Sequence, residues 1–203
     1  MNETLYTIGH SNRTLEDFLG ALKAHGITAI ADVRSQPYSK MYPQFDREQL
    51  AASLKAHGIA YVFLGKELGA RTPDADCYVD DKVQFDRLAR KAVFGEGLER
   101  VRQGMEQHCV SLLCAEREPL ACHRTILVSR ELALQGVRVR HILSATETEE
   151  HEQTSARLLR ELKMEEANLF CSREELIADA YRMQAQRIAY QRSDSAVTAD
   201  AHD

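Results

Sequence analysis

Cys114, Glu116, Cys122, His123 and Arg124 fall within eleven residues of one another in the stretch Cys114-Ala115-Glu116-Arg117-Glu118-Pro119-Leu120-Ala121-Cys122-His123-Arg124. Two thiols, a carboxylate, an imidazole and a guanidinium at one junction allow three kinds of chemistry. Cys122 begins a helical pattern, where backbone N–H groups and the helix dipole lower a thiol pKa, and Arg124 adds to that effect. This makes Cys122 a candidate nucleophile, with His123 handling protons. The same side chains suit zinc or iron, with Cys114, Cys122 and His123 as ligands. Seven residues separate the two cysteines and His123 is adjacent to the second, a spacing that matches no standard zinc module. The bland alternative is a small apolar cysteine beside a locally bonded histidine. A phosphatase or rhodanese-type loop is excluded. Its arginine stands six positions after the cysteine, and the corresponding residues here are Leu120 and Val128.

Other candidates cluster in the same way at the ends of short apolar runs. Thr7-Ile8-Gly9-His10-Ser11 offers His10 as a base and Ser11 as an anion-binding hydroxyl. Asp32-Val33-Arg34 offers an acid that orients His10 or Arg34, and a guanidinium for phosphate or carboxylate. Their spacing of two puts Asp32 and Arg34 on one strand face, and an internal salt bridge explains the pair equally well. Glu116 is a general base or a hydroxyl acceptor, or else the partner of a nearby arginine. Ser39 and Arg71 lie in two long loops, of the sort that form substrate walls.

The elements that must position these residues alternate. Strand patterns at residues 5–8, 27–33, 59–64, 109–114 and 137–142 are separated by helical patterns that end near Gly26, Gly58 and Gly136. Residues 82–107 read as helical with interruptions near Gly95 and Gly97. This rhythm predicts an α/β, Rossmann-like domain over residues 1–145, a doubly wound, mainly parallel five-stranded sheet flanked by helices. Strand five, with alternating polar residues, is expected nearer an edge. Residues 146–192 read as a C-terminal helical extension packed on the same domain, with Ser172 and Glu175 forming a capping box. Residues 193–203 are small and polar and are expected to fray. In a sheet of this kind the strand-to-helix loops gather at one end, so the candidates above would share a crevice.

Together, Thr7-Ile8-Gly9-His10-Ser11, Asp32-Val33-Arg34 with Pro37 and Ser39, Leu64-Gly65 with Leu68-Gly69, and Cys114-Ala115-Glu116 with Pro119 and Cys122-His123-Arg124 resemble the DUF488 family, a domain of unknown function. The late segment from Asp179 to Tyr190 is similar to its longer members. The resemblance implies a compact α/β fold and supplies no reaction. Ala70 departs from it, standing where such proteins often have a second glycine.

The 203 residues suffice for one domain with a sizeable core. A net charge of -5 gives no general attraction to nucleic acid or anionic membranes. No apolar run reaches the length of a membrane span, and the first residues lack the pattern of a secretory signal, so cytoplasm is the expected location. Five cysteines, an odd number, argue for reduced thiols. No Walker loop or dinucleotide fingerprint is present. The leading expectation is an enzyme, a hydrolase or transferase, acting on an anionic, phosphorylated or nucleotide-like small molecule. In it Cys122, His10, His123, Glu116 and Asp32 are catalytic, and Ser11, Arg34, Ser39, Arg71 and Arg124 bind substrate. The alternatives are a metal- or ligand-binding module without turnover and a nucleic-acid processing protein.

Overall fold

A computed structural model describes residues 4–164 and 171–192. Its centre is a sheet of β1 (Thr4–Gly9), β2 (Ala29–Asp32), β3 (Ala60–Phe63), β6 (Val110–Cys114), β7 (Arg138–Ile142) and β8 (Thr148–Glu150), in the order β3-β2-β6-β1-β7-β8. The first five pair in parallel, and β8 runs antiparallel to β7. The sheet is therefore six-stranded, not five-stranded. Residues 148–150, expected to be helical, add the sixth strand, so β7 lies one place inside the edge. A short hairpin, β4 (Tyr78–Val79) and β5 (Lys82–Val83), stands apart.

The apolar alternation of the strands feeds two cores. Leu5, Ala31, Leu112 and Val139 face one side; Ile8, Ile30, Leu113 and Ile142 face the other. Helices α1 (Leu15–Ala24) and α2 (Arg47–Ala56) cover the second side with Phe18, Leu22, Leu50 and Leu54. The first side is covered by α5 (Ala92–Gln107), α7 (His151–Leu162), α8 (Arg173–Ile188) and the helix after β6. Helices on both faces of a parallel sheet make the doubly wound architecture, and the C-terminal helices pack on it through Leu158, Leu159 and Tyr181.

Local chemistry sets the helix ends. The Thr14 hydroxyl accepts from the Asp17 N–H at the start of α1, and Ser172 and Glu175 form the reciprocal capping box of α8. Asp46 stands at the N-cap of α2, but its carboxylate makes no capping bond; it accepts from the Ser39 N–H at 2.8 Å and so ties down the loop after β2. The expected breaks at Gly95 and Gly97 do not occur. α5 runs through both, because Gly97 packs its backbone against Leu68 of the short helix α3 (Gly65–Leu68), and the interruption falls earlier, between α4 (Phe85–Ala89) and α5. The helix after β6 opens as a π-helix, Arg124–Ser129, before α6 (Arg130–Leu134); the Ser129 hydroxyl donates to the Arg124 carbonyl at 2.7 Å.

Three adjacent central strands carry the candidate motifs. In the registers of the sheet, Gly9 lies beside Cys114, and Asp32 beside Leu113. The chain returns from the edge strand β3 to the middle at β6, and a ligand crevice is expected at such a reversal. Gly9 is required there. A Cβ on it would overlap the Glu116 carbonyl, so the loops after β1 and β6 meet only because residue 9 has no side chain.

Candidate functional site

A cavity of about 560 Å³ opens at these strand ends. His10, Ser11, Arg34, Ser39, Arg71, Cys114, Glu116 and His123 all line it. Asp32, Cys122 and Arg124 lie beneath its surface, at 0%, 1% and 0% exposure.

The floor comes from β6 and the start of the π-helix. Glu116 Oε2 lies 3.0 Å from Cys114 Sγ and 3.0 Å from Cys122 Sγ. His123 Nδ1 lies 3.5 Å from Cys114 Sγ, while its Nε2–H donates to the Val33 carbonyl at 2.9 Å. That second bond fixes the ring and leaves Nδ1 free to face the sulfurs. One donor atom from each of Cys114, Glu116, Cys122 and His123 lies within 4.8 Å of the other three. The adjacency of Cys122 and His123 does not prevent convergence. The backbone turns between them from an extended residue to a helical one.

The two thiols differ in proton affinity. Burial pushes Cys114 well above the usual thiol range, and the neighbouring Cys122 adds to this. Burial acts the same way on Cys122, but the Cys114 hydrogen bond, the Arg124 charge and His123 outweigh it and hold Cys122 well below that range. Desolvation, then the Cys122 sulfur, raise the Glu116 carboxyl. Burial acts most strongly on His123 and lowers it, but the Cys122 hydrogen bond and charge, with Glu116 and the Val33 carbonyl, together outweigh this for a net increase. Four basic groups thus compete for few protons, and a divalent cation binds such a set by displacing them.

The wall beside the floor is built on Arg34. Its Nε and Nη2 donate to the Asp32 carboxylate, with the shortest contact at 2.6 Å, and its Nη1 donates to His10 Nε2 at 3.2 Å. Burial works against the guanidinium charge, and the Asp32 hydrogen bonds and charge more than restore it. Tyr61, from mid-β3, donates to Asp32 at 2.7 Å. Nothing in the spacing of residues 59–64 marks Tyr61 as part of the site; only the side-by-side pairing of β2 and β3 reveals it. His10 is stacked on Phe45 at 4.4 Å and its Nδ1–H donates to the Ser11 carbonyl at 3.0 Å. Burial lowers its pKa to about 4, with Arg34 contributing. With both nitrogens engaged, His10 orients Arg34 and has no free lone pair for a substrate proton. Asp32 likewise orients Arg34 from below.

Opposite, Arg71 lies 4.5 Å over the Tyr190 ring and donates to Gln36 at 3.2 Å. Tyr190 and Ile188 enter the cavity wall from the end of α8. Ala70 also lines the cavity and is 8% exposed, so its methyl is part of the wall. Arg124 departs from its expected role. Its amino groups donate to the Glu116 and Arg117 carbonyls inside the fold, and it brings no guanidinium to the cavity.

A family model described as a domain of unknown function, DUF488, matches residues 14–130. The chain belongs to the DUF488 family. The matched part of this DUF488 protein holds all four floor residues together with Arg34 and Arg71. His10, Ser11 and the wall residues of α8 lie outside the match. Neither a curated protein nor a solved structure matches the chain.

Proposed function

We propose that this protein is a metal-dependent enzyme for a small anionic molecule, a hydrolase or transferase. Cys114, Cys122 and His123 would hold zinc or iron, and Glu116 would occupy an exchangeable fourth position on the cavity side. The observation that carries this reading is the convergence of four donors at the floor of a cavity whose walls hold Arg34 and Arg71. Two thiols and an imidazole form a ligand set used in catalytic zinc sites, and the Val33 carbonyl supplies the outer bond that such a histidine needs. When bound, such an ion acts as a Lewis acid toward a ligand oxygen. The chain's own residues do the remainder. Arg34, locked by Asp32 and His10, presents its unused N–H groups at a fixed place, Arg71 closes from the other side, and Ser11 and Ser39 add hydroxyls.

A nucleophilic Cys122 is less well supported. Its low proton affinity suits the role, but the residue is 1% exposed and Cys114, not Cys122, lines the cavity. A closed site that binds without turnover is the second reading, and the occupation of the fourth position by Glu116 favours it.

Metal analysis of protein purified without added metal tests the proposal. About one zinc or iron per chain is expected, lost in Cys114→Ala and in Cys122→Ala. Glu116→Gln should retain the metal, because three ligands remain. Metal-free protein that also takes up no zinc would overturn the proposal.

A further inference from the structure

Beneath the floor lies a second polar structure that the cavity does not touch. Thr7 on β1, His141 on β7, His151 and Ser155 on α7 and Tyr181 on α8 are all at most 8% exposed. They form one chain with Arg124. Arg124 Nε donates to Thr7 Oγ1 at 3.4 Å, and Thr7 Oγ1 lies 2.8 Å from His141 Nδ1. His141 Nε2 lies 3.1 Å from His151 Nδ1, His151 Nε2 3.2 Å from the Tyr181 hydroxyl, and that hydroxyl 2.9 Å from Ser155 Oγ. The chain ends where Ser155 Oγ meets the His151 carbonyl at 2.9 Å.

The last bond sets every other proton. A carbonyl only accepts, so the single Ser155 proton is spent on it. Tyr181 must then donate to Ser155, and His151 Nε2–H to Tyr181. Burial holds His151 at about 4, so its ring is neutral near pH 7 and its Nδ1 accepts. His141, held low by burial and then by His151 and Arg124, donates from Nε2 and accepts at Nδ1 from Thr7. The Thr7 oxygen is left to receive the Arg124 Nε–H. All donors point away from the Arg124 cation, with one consistent polarity over five elements.

Arg124 itself has no carboxylate partner among the described residues; its side chain meets two carbonyls and one hydroxyl. A fully buried, unpaired guanidinium is costly unless a negative group lies near. Two thiolates and one carboxylate around a divalent ion leave one net negative charge beside it. Its backbone N–H also reaches Cys122 Sγ at 3.4 Å.

We propose that Thr7, His141, His151 and Tyr181 are positioning residues for the metal centre, acting through Arg124. The guanidinium is a rigid plane, so fixing Nε fixes the directions of both amino groups. Those groups hold the Glu116 and Arg117 carbonyls, and with them the loop that carries the fourth ligand. The role rests on the metal reading above. It makes the C-terminal helices part of the metal site.

Two measurements test it on the full-length protein. The first is Co(II) affinity by chelator competition, followed by sulfur-to-cobalt charge transfer, with circular dichroism to verify folding. Thr7→Val keeps the shape and removes the hydroxyl; it should weaken binding about tenfold, as loss of an outer-shell partner does. Thr7→Ser, which restores the hydroxyl, should stay within about twofold of wild type on the same reasoning. Tyr181→Phe leaves Arg124 and Thr7 intact and should weaken binding in the same direction by less, so it serves if Thr7→Val does not fold. The second is nitrogen NMR of the imidazoles, which should find both His141 and His151 protonated at Nε2 near pH 7. Equal Co(II) affinity in wild type and the folded variants, or an Nδ1–H form of either histidine, would overturn the positioning role alone. Wild-type protein without Co(II) uptake would overturn the metal reading and this role together.

Discussion

Arg34 shows how strongly neighbours decide what a residue can do. A guanidinium 5% exposed is tolerable only because Asp32, 0% exposed, meets it along one edge. Removing one partner of a buried pair strands the other charge. Asp32→Asn should therefore lower stability by about 3–5 kcal/mol in urea unfolding. Tyr61→Phe, which removes a single donor to that carboxylate, should cost about 1–3 kcal/mol. A value near zero for Asp32→Asn would mean that the pair does not form. At this scale the sequence was informative about residue types. Asp32 beside Arg34, and the cysteines beside His123, stand out by their spacing and position after apolar runs. Their geometry was not legible. Glu116 was read as a base, and its carboxylate lies between two sulfurs. His10 was read as a proton carrier, and both of its nitrogens are engaged. Arg124 was read as a substrate contact, yet it is turned inward. Which way these side chains turn depends on how the loop from Cys114 to Arg124 folds back on itself and, for His10, on Arg34 just beyond β2, and residue spacing encodes neither.

At the scale of elements, the glycine at the end of β1 matters more than its lack of a side chain suggests. Gly9→Ala would push a methyl into the Glu116 carbonyl, forcing apart the loops that carry His10 and Glu116. A loss of roughly 3 kcal/mol is expected from overpacking of this kind, read by urea unfolding. Gly20 provides the contrast. It is exposed within α1, and a Cβ there meets nothing within 4 Å. Gly20→Ala should stabilise the protein by about 0.5–1 kcal/mol, the ordinary gain of alanine over glycine in a helix. If both variants behaved alike, the close approach of β1 and β6 would be contradicted. Most elements were legible, because strand alternation, Thr14 and the Ser172 box act locally. The exceptions have non-local causes. β8 forms because β7 offers an open edge, and α5 passes through two glycines because Leu68 packs against one of them. His141 lies in β7, the strand expected nearer an edge. It is fully buried because β8 and α7 cover that strand.

The whole molecule carries a pH dependence set by its buried histidines. His10 and His151 both titrate at about 4 in the fold, against an ordinary value near 6.5. His141 is shifted in the same direction. At these three histidines the unfolded chain binds more protons than the folded one between these values, so their part of the stability rises with pH across that interval; His123, raised beside Cys122, works the other way and is outnumbered. The contribution is complete above about pH 6.5 and is lost as pH falls toward 4. A shift of this size corresponds to roughly 3 kcal/mol per histidine. The urea midpoint should fall clearly between pH 7 and pH 5, and the fall should shrink in His151→Gln if that variant folds. A midpoint that is flat over this range would contradict burial of neutral histidines. The same three residues join the sheet, the cavity wall and α7, so acid sensitivity is a property of the assembled domain. Sequence reading predicted the doubly wound layout from the alternation of strands and helices. It placed the C-terminal helices on the same domain without revealing that Tyr181 completes a buried chain or that Tyr190 supports Arg71.

The account depends most on whether the four donors at the cavity floor bind one ion. X-ray absorption of zinc-loaded protein examines that directly. Two sulfurs at about 2.3 Å together with nitrogen and oxygen at about 2.0–2.2 Å are expected, and Cys114→Ala should no longer hold the zinc. A shell of oxygen and nitrogen alone, unchanged by loss of Cys114, would contradict it.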